Sequence, residues 1–503
     1  MKHKIVVKHS RIEINDYELG DCSKIEYIFS IWNPQYYMRE IMGMEYDEEN
    51  KKLILPRGID IPWLENIFNC NAYVDKYPDD YESNEQIPIK YLAKDQRQVE
   101  ILKFILGKDN YAYTKSKSQL SCNSTTGSGK TFVTIASICV SGSRAVIITS
   151  SIKWLNQWRD RILEYTPLDP KQIYMIVGSQ SIDRLMCRDS SEYKIFLASH
   201  NTLKSYGDNN GWDKVHDLFN HMKVSMKVFD ESHLYFNNMA KIDFHTNTKK
   251  TLYLTATPKR SNADEDTIFQ LYFKNIPSIV LFDEEQDPHV NYVAMHFNSH
   301  PKLMDIKKCC TTNRYGFARS VYTNYVVETE NFFKMLCILI DMTLNINGKV
   351  LIYIGTNSAI ARVKELILSQ FPFLRNNVGI YTSVVKDEEK DQQLQKKYIL
   401  STTKSCGAAS DISGLSVTIN LAEPFKSSVL AQQSLGRCRA YDTFYFDIVD
   451  TGFKQTKNYY EEKKPIFSRY AKSCNDVIFN DAELDDKYNK VIDKHDSTMC
   501  YIV

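Results

Sequence analysis

Residues 119–132 read Gln119-Leu120-Ser121-Cys122-Asn123-Ser124-Thr125-Thr126-Gly127-Ser128-Gly129-Lys130-Thr131-Phe132, and an apolar helical pattern continues to Val140. A short strand-like run thus passes through two glycines and a lysine into a helix. Glycines there let successive backbone N–H groups converge on an anion, and the N-terminus of the following helix adds partial positive charge. The stretch predicts a phosphate-binding loop. Ser124, Thr125, Thr126, Gly127, Ser128 and Gly129 would cradle the phosphates, with Ser124 where the strict pattern has glycine. Lys130 would reach the β- and γ-phosphates and Thr131 would ligate a metal, so ATP and Mg²⁺ are the expected cofactors.

Outward from this loop, short β-branched runs alternate with longer amphipathic stretches. Ala145 to Thr149, Ile195 to Ser199, Met226 to Phe229 and Thr251 to Leu254 read as buried strands, the rhythm of a parallel α/β sheet. The rhythm restarts with Asn291 to Phe297, Lys349 to Ile354, Val378 to Tyr381, Tyr398 to Ser401, Val417 to Leu421 and Phe444 to Ile448. The expected architecture is α/β, with two tandem parallel-sheet lobes over 89–287 and 288–455. A small α+β module over 1–88 precedes them and a basic, aromatic extension over 456–503 follows. The seam falls in the polar run Asp283 to Pro288.

The chain has 503 residues, with 63 Lys and Arg against 62 Asp and Glu. That balance is ordinary for a globular protein and excludes whole-molecule electrostatic steering towards a polyanion, so any nucleic-acid surface must be local. Residues 1–85 carry 10 basic and 17 acidic residues, a net of −7, which argues against a broad phosphate-gripping surface there. Trp32, Trp63, Tyr36 and Tyr37 suit either base stacking or the core of a small module. Residues 454–472 carry six basic and two acidic residues interleaved with aromatics, and residues 301–320 five basic and one acidic. The first of these fits a strand-gripping surface or an amphipathic helix packed on the second lobe. Twelve cysteines occur without a CxxC pair, which reads as reduced thiols in a cytoplasmic, soluble protein. Cys500-Tyr501-Ile502-Val503 formally fits a prenylation signal, but Val is not a usual last residue.

Downstream of the loop, Met226-Lys227-Val228-Phe229 runs into Asp230-Glu231-Ser232-His233. An aspartate at the end of a buried strand suits the metal of a phosphate-loop ATPase, and an adjoining glutamate can orient or deprotonate the attacking water. With Thr255-Ala256-Thr257-Pro258 and Gln433-Ser434-Leu435-Gly436-Arg437 in the same order, the chain from about 90 to 455 resembles the DExH helicases of superfamily 2. The resemblance implies two RecA-like lobes. It also implies that Gln96 reads adenine, that Asp411 in the segment Thr403 to Asp411 joins the nucleotide site, and that Gln433, Arg437 and Arg439 complete catalysis with Lys130, Asp230 and Glu231. Thr149, Ser199 and Thr403 would contact a nucleic-acid backbone, and His233, Thr255 and Thr257 would couple hydrolysis to that track. Ala409 replaces a usual glycine, and Arg439 follows Arg437 by two residues where three is usual.

The plan looks most like the phage UvsW-type helicases, which remodel branched DNA at forks, junctions and RNA–DNA loops in replication, recombination and repair. The poxviral transcript-release helicases share that plan. The expected partner is DNA, with RNA in hybrids, and the expected state a monomer with no membrane attachment. Three readings stand: a DNA helicase or branch-migration translocase, an RNA-directed or transcript-releasing motor, and a binding scaffold that keeps the fold without turnover.

Overall fold

The computed structural model describes residues 3–33, 37–75, 86–124, 129–233, 235–255, 263–281, 290–310, 316–382, 384–385, 387–406, 412–425 and 443–499. The chain divides into two units, Met1–Asp283 and Glu284–Val503.

The first unit opens with β1 (Lys4–Val7), β2 (Arg11–Asn15), the hairpin of β3 (Ser30–Asn33) and β4 (Met38–Ile41), then β5 (Glu45–Asp47), β6 (Lys52–Pro56) and β7 (Ala72–Val74). All but the hairpin join one sheet in the order β5-β6-β2-β1-β7. A seven-stranded sheet follows, from β8 (Gln119–Ser124), β9 (Ala145–Thr149), β10 (Ile173–Ile176), β11 (Ile195–Ser199), β12 (Met226–Phe229), β13 (Lys250–Thr255) and β14 (Ser278–Leu281). Its order is β10-β11-β9-β12-β13-β8-β14, parallel throughout. β9 and β11 are wholly buried, which is why they read as unbroken apolar runs rather than alternating ones.

Successive side chains still serve opposite faces. Ile147, Leu197, Val228 and Leu252 pack against Ile101, Phe104, Val133 and Leu155 from flanking helices. Val146, Phe196, Phe229 and Tyr253 face the other way, into a cluster that also holds Ile5, Val7, Ile12, Ile14, Leu53, Leu55 and Phe68. The N-terminal module therefore has its own sheet but shares its core with the first lobe, and the expected boundary at 88 divides no core. At Gly58 a Cβ would lie 2.1 Å from the carbonyl oxygen of Tyr272, so backbone meets backbone at this seam. Beneath it, fully buried Lys227 sits 2.7 Å from Asp243 Oδ1 and donates to Thr246 O at 2.7 Å. Asp243 Oδ2 accepts from Tyr253, Tyr272 and Gln119. Gln119 Nε2 also donates to Ser10 O at 3.2 Å, tying the module into this network.

The second unit contains β15 (Val290–Phe297), β16 (Lys349–Ile354), β17 (Val378–Tyr381), β18 (Tyr398–Ser401), β19 (Leu415–Ala422), β20 (Thr443–Asp450) and β21 (Ser473–Ile478). Their order is β17-β18-β16-β19-β20-β15-β21, again all parallel. Numbered from its own first strand, each seven-stranded sheet runs 3-4-2-5-6-1-7: one topology, used twice. β21 lies within the segment expected to be an extension after 455, yet it closes the second sheet as β14 closes the first. In the helix Lys454–Tyr470, Tyr460 and Phe467 are buried, and Phe467 stacks on Tyr292 with centroids 4.1 Å apart. Lys463 is buried against Asp447 at 2.8 Å. Of the two expectations for this segment, the packed helix accounts for these side chains. Among the described residues no helix is long and apolar enough to cross a membrane.

Candidate functional site

In a doubly wound parallel sheet, ligands bind outside the carboxyl ends of the strands. The ends of β8, β9, β11, β12 and β13 line up at one edge of the first sheet, with Thr149 beside Ser199, Phe229 beside Ile148, and Thr255 beside Asn123. Ser124 ends β8; Thr125, Thr126, Gly127 and Ser128 lie outside the described residues. The chain is described again at Gly129, whose φ of +86° is left-handed and which begins the helix Lys130–Ser141. Lys130 is buried and Thr131 partly so in the first turn of this helix.

The glutamine facing this turn is not the one expected. Gln96 is exposed and donates to Glu100 at 2.9 Å on its own helix, Gln96–Leu106. Gln98 is buried on that helix with Ile101, Phe104 and Ile105. Its Oε1 accepts from the Lys94 N–H at 2.8 Å, and its Nε2 lies 2.1 Å from where a Cβ on Gly129 would stand. Helical spacing explains the difference: Gln98, Ile101 and Ile105 fall on one face at i, i+3 and i+7, whereas Gln96 falls outside it. That periodicity was the available signal.

Asp230 follows β12, its N–H donating to Ile148 O at 3.0 Å and its Oδ2 accepting from Trp158 Nε1 at 2.8 Å. Burial, reinforced by neighbouring Glu231, pushes its carboxyl up to about 6, while Trp158 and Lys130 pull it down. Glu231 has φ +49°, a conformation that costs a non-glycine residue roughly 1–3 kcal/mol and is kept where the surroundings enforce it. Here the Ser232 N–H donates to Leu254 O at 2.9 Å, locking the turn onto β13. His233 Nδ1 sits 2.8 Å from Thr255 Oγ1 and 3.4 Å from Glu231 Oε2. One imidazole therefore bridges the acidic turn and the next strand, the two elements that the coupling role expected of it would have to join. Thr257 lies outside the described residues.

The expected backbone contacts are less open. Thr149 is fully buried and donates to Ser151 O at 3.2 Å. Ser199 Oγ accepts from the Thr202 N–H at 3.1 Å and donates to Thr202 Oγ1 at 2.8 Å, capping its own helix. In the second unit, Thr403 gives its N–H to Glu423 Oε2 at 2.7 Å and its hydroxyl to Glu423 Oε1 at 2.5 Å. A hydroxyl donating to a carboxylate has no proton left for a phosphate oxygen, and the carboxylate repels one. Thr403 in this arrangement is thus a ligand of Glu423 rather than of a phosphate. Asp411, Gln433, Arg437 and Arg439 lie outside the described residues.

Among the described residues no cluster of three or more His, Cys, Asp or Glu could cage a metal. Mg²⁺ needs none, being commonly bound by one or two protein oxygens together with substrate phosphates and water. Asp230 and Thr131 are hard oxygen donors that fit it.

A loop lysine, a strand-end carboxylate pair and a histidine coupled to the next strand invite comparison with known proteins. Residues 91–260 match ResIII, the Type III restriction enzyme res subunit family. A segment of 145 residues is 30% identical to the "Putative DNA 3'-5' helicase Rad25" of Haloarcula marismortui, covering 29% of this chain and 21% of that protein. The protein of the same name from Halobacterium salinarum is 26% identical over 173 residues, covering 33% and 26%. The chain therefore spans about a fifth to a quarter of the length of these relatives. Among solved structures, S. cerevisiae Dbp5 bound to RNA and ADP BeF3 aligns over 80% of this chain and 95% of its own at 14% identity, with a TM-score of 0.51. That likeness speaks for the fold: the two seven-stranded sheets with their flanking helices are tandem RecA-like lobes. T4 UvsW aligns over 95% of this chain at 12% identity, but its TM-score of 0.36 does not single out that branch.

Proposed function

We propose that the chain is a nucleic-acid-stimulated ATPase that works as a helicase of superfamily 2, with DNA as its track. The observation that carries this reading is the edge of the first sheet, where Lys130, Asp230, Glu231 and His233–Thr255 converge. In this reading Gly129 and its neighbours hold the phosphates by backbone N–H groups, and Lys130 neutralises the β- and γ-phosphates. Asp230 and Thr131 hold Mg²⁺, which supplies charge neutralisation when bound. Glu231 orients the attacking water, and His233 carries the state of that carboxylate to Thr255. Gln98, packed on the loop, takes the role expected of Gln96 at the base. The Rad25 relatives, named as DNA helicases, favour DNA over RNA. The finer reading, remodelling of forks, junctions or RNA–DNA loops as in the UvsW type, rests on the domain plan and the motif order.

ATP hydrolysis measured alone and with single-stranded DNA, forked DNA and RNA tests this. Stimulation by DNA strands supports the proposal, greater stimulation by forks supports the branched-substrate reading, and stimulation by RNA alone transfers the motor to RNA. No stimulation by any of them refutes it. Lys130→Ala should abolish turnover by removing phosphate charge neutralisation. Glu231→Gln should abolish turnover with ATP still bound, because the phosphate cradle survives loss of the water-orienting carboxylate.

A further inference from the structure

The helix that follows β9 reaches back to the acidic turn. This helix, Ile152–Tyr165, buries Trp154, Leu155, Trp158 and Ile162, and Trp154, Trp158 and Ile162 recur at the four-residue spacing of one helical face. Leu155, Trp158 and Ile162 share a core with Ile147 of β9 and Val228 of β12. Trp158 is 4% exposed, so packing fixes the indole, and its Nε1–H leaves that core at one point, donating to Asp230 Oδ2 at 2.8 Å.

Asp230 is thus held twice by one strand and the helix that the strand leads into. Its main-chain N–H donates to Ile148 O of β9 at 3.0 Å, and its side chain accepts from Trp158. A free carboxylate turns about its last side-chain bond, a broad and roughly two-fold torsion. With Oδ2 taken by an indole that can only donate, the plane of the group is set and Oδ1 is the oxygen left for a cation. Mg²⁺ demands near-ideal octahedral geometry, so it tolerates little error in where that oxygen stands. A buried indole could have met its need for an acceptor with any carbonyl; here it meets the one carboxylate expected to hold the metal.

We propose that Trp158 is a positioning residue for the metal, holding Oδ2 of Asp230 so that Oδ1 faces Mg²⁺ and the nucleotide is taken as its magnesium complex. This rests on the reading of Asp230 as a metal ligand. Hydrogen bonds that orient a metal ligand are commonly worth 10- to 100-fold in metal affinity, which sets the size of the expected effect.

Trp158→Phe removes the N–H and keeps an aromatic ring in the core. A fluorescent ATP analogue is titrated into the full chain in Mg²⁺ and, separately, in EDTA, with thermal unfolding checking that each variant is folded. Affinity in Mg²⁺ should fall about tenfold or more, while affinity in EDTA changes less than about twofold. Trp154→Phe makes the same change of ring one turn earlier, where no bond to Asp230 exists, and should alter neither. In the Asp230→Asn chain, Trp158→Phe should bring no further loss, because the group it positions is already gone. Should Trp158→Phe fail to fold, Trp158→Met, which also lacks a donor and fills space flexibly, takes its place under the same criteria. Equal losses in Mg²⁺ and EDTA, or a magnesium preference that survives the loss of the N–H, overturn the proposal and leave the metal reading of Asp230 standing. A wild-type chain that binds the analogue equally in Mg²⁺ and EDTA refutes that reading, and the role of Trp158 with it.

Discussion

Replacing Gly129 by alanine tests the loop with a single methyl group. Gly129 holds φ +86°, and an added Cβ would stand 2.1 Å from Gln98 Nε2. A non-glycine residue in a left-handed conformation costs about 1–2 kcal/mol. The methyl must also push Gln98 aside, breaking the 2.8 Å bond between its Oε1 and the Lys94 N–H, worth roughly 0.5–1.5 kcal/mol. The total is about 2–3 kcal/mol against the loop geometry that phosphates require, or roughly 30- to 150-fold in ATP affinity. Equilibrium titration with a fluorescent ATP analogue measures it, with thermal unfolding reporting the rest of the fold. Gln98→Ala in the Gly129→Ala chain relieves the collision and should recover only the part due to the side chain. A loss below threefold for Gly129→Ala, with the protein folded, would refute both the loop assignment and the place given to Gln98.

Lys227→Met strands Asp243 in the core without its cation, which should cost about 3–5 kcal/mol and lower the melting temperature by roughly 6–20 °C. Adding Asp243→Asn should recover part of this in a double-mutant cycle, and purely additive losses would show that the pair is not coupled. His200 is buried and stacked on Phe229, and burial brings its imidazole from 6.5 down to about 4. It stays neutral in the fold while the unfolded chain takes up a proton, so stability falls as pH drops from above 6.5 towards 4. The loss reaches roughly 3 kcal/mol. His200→Phe should shrink the stability difference between pH 7 and pH 4 by that amount in urea titrations, and an unchanged difference would remove His200 from the acid response. Arg437→Ala and Arg439→Ala, compared in ATPase assays, should each lower turnover by 10²-fold or more if they meet the γ-phosphate; the one that leaves turnover intact is not the finger.

The parallel α/β class and most strands were readable because strands buried on both faces are forced to be apolar throughout. β21 escaped for the converse reason: Ser473-Cys474-Asn475-Asp476-Val477-Ile478 lies at a sheet edge with no residue fully buried, so composition carries little trace of pairing. The shared core of the N-terminal module was equally hidden, since apolar residues show burial but not against what. At the candidate site, Lys130, Asp230 and Glu231 stood out as expectations because phosphate and metal chemistry fixes both residue type and spacing. The packing of Gln98 beside Gly129 did not, because its neighbour Gln96 offered the same amide and only the helical face tells them apart. Thr403 has a suitable hydroxyl, but the carboxylate that claims it comes twenty residues later, at Glu423.

The doubled strand order also sets a timetable for synthesis. In the second unit β15 lies between β20 and β21, with Asn291 opposite Phe444 and Ser473. At about 5–20 residues per second on the ribosome, the later partner of Asn291 arrives roughly 10–40 s after it. For most of that interval, until Phe444 of β20 is made, the nascent chain carries an apolar strand with neither neighbour, the kind of exposed hydrophobic surface that chaperones exist to cover. Slower translation of the stretch between them would lengthen that exposure and lower the yield of folded protein.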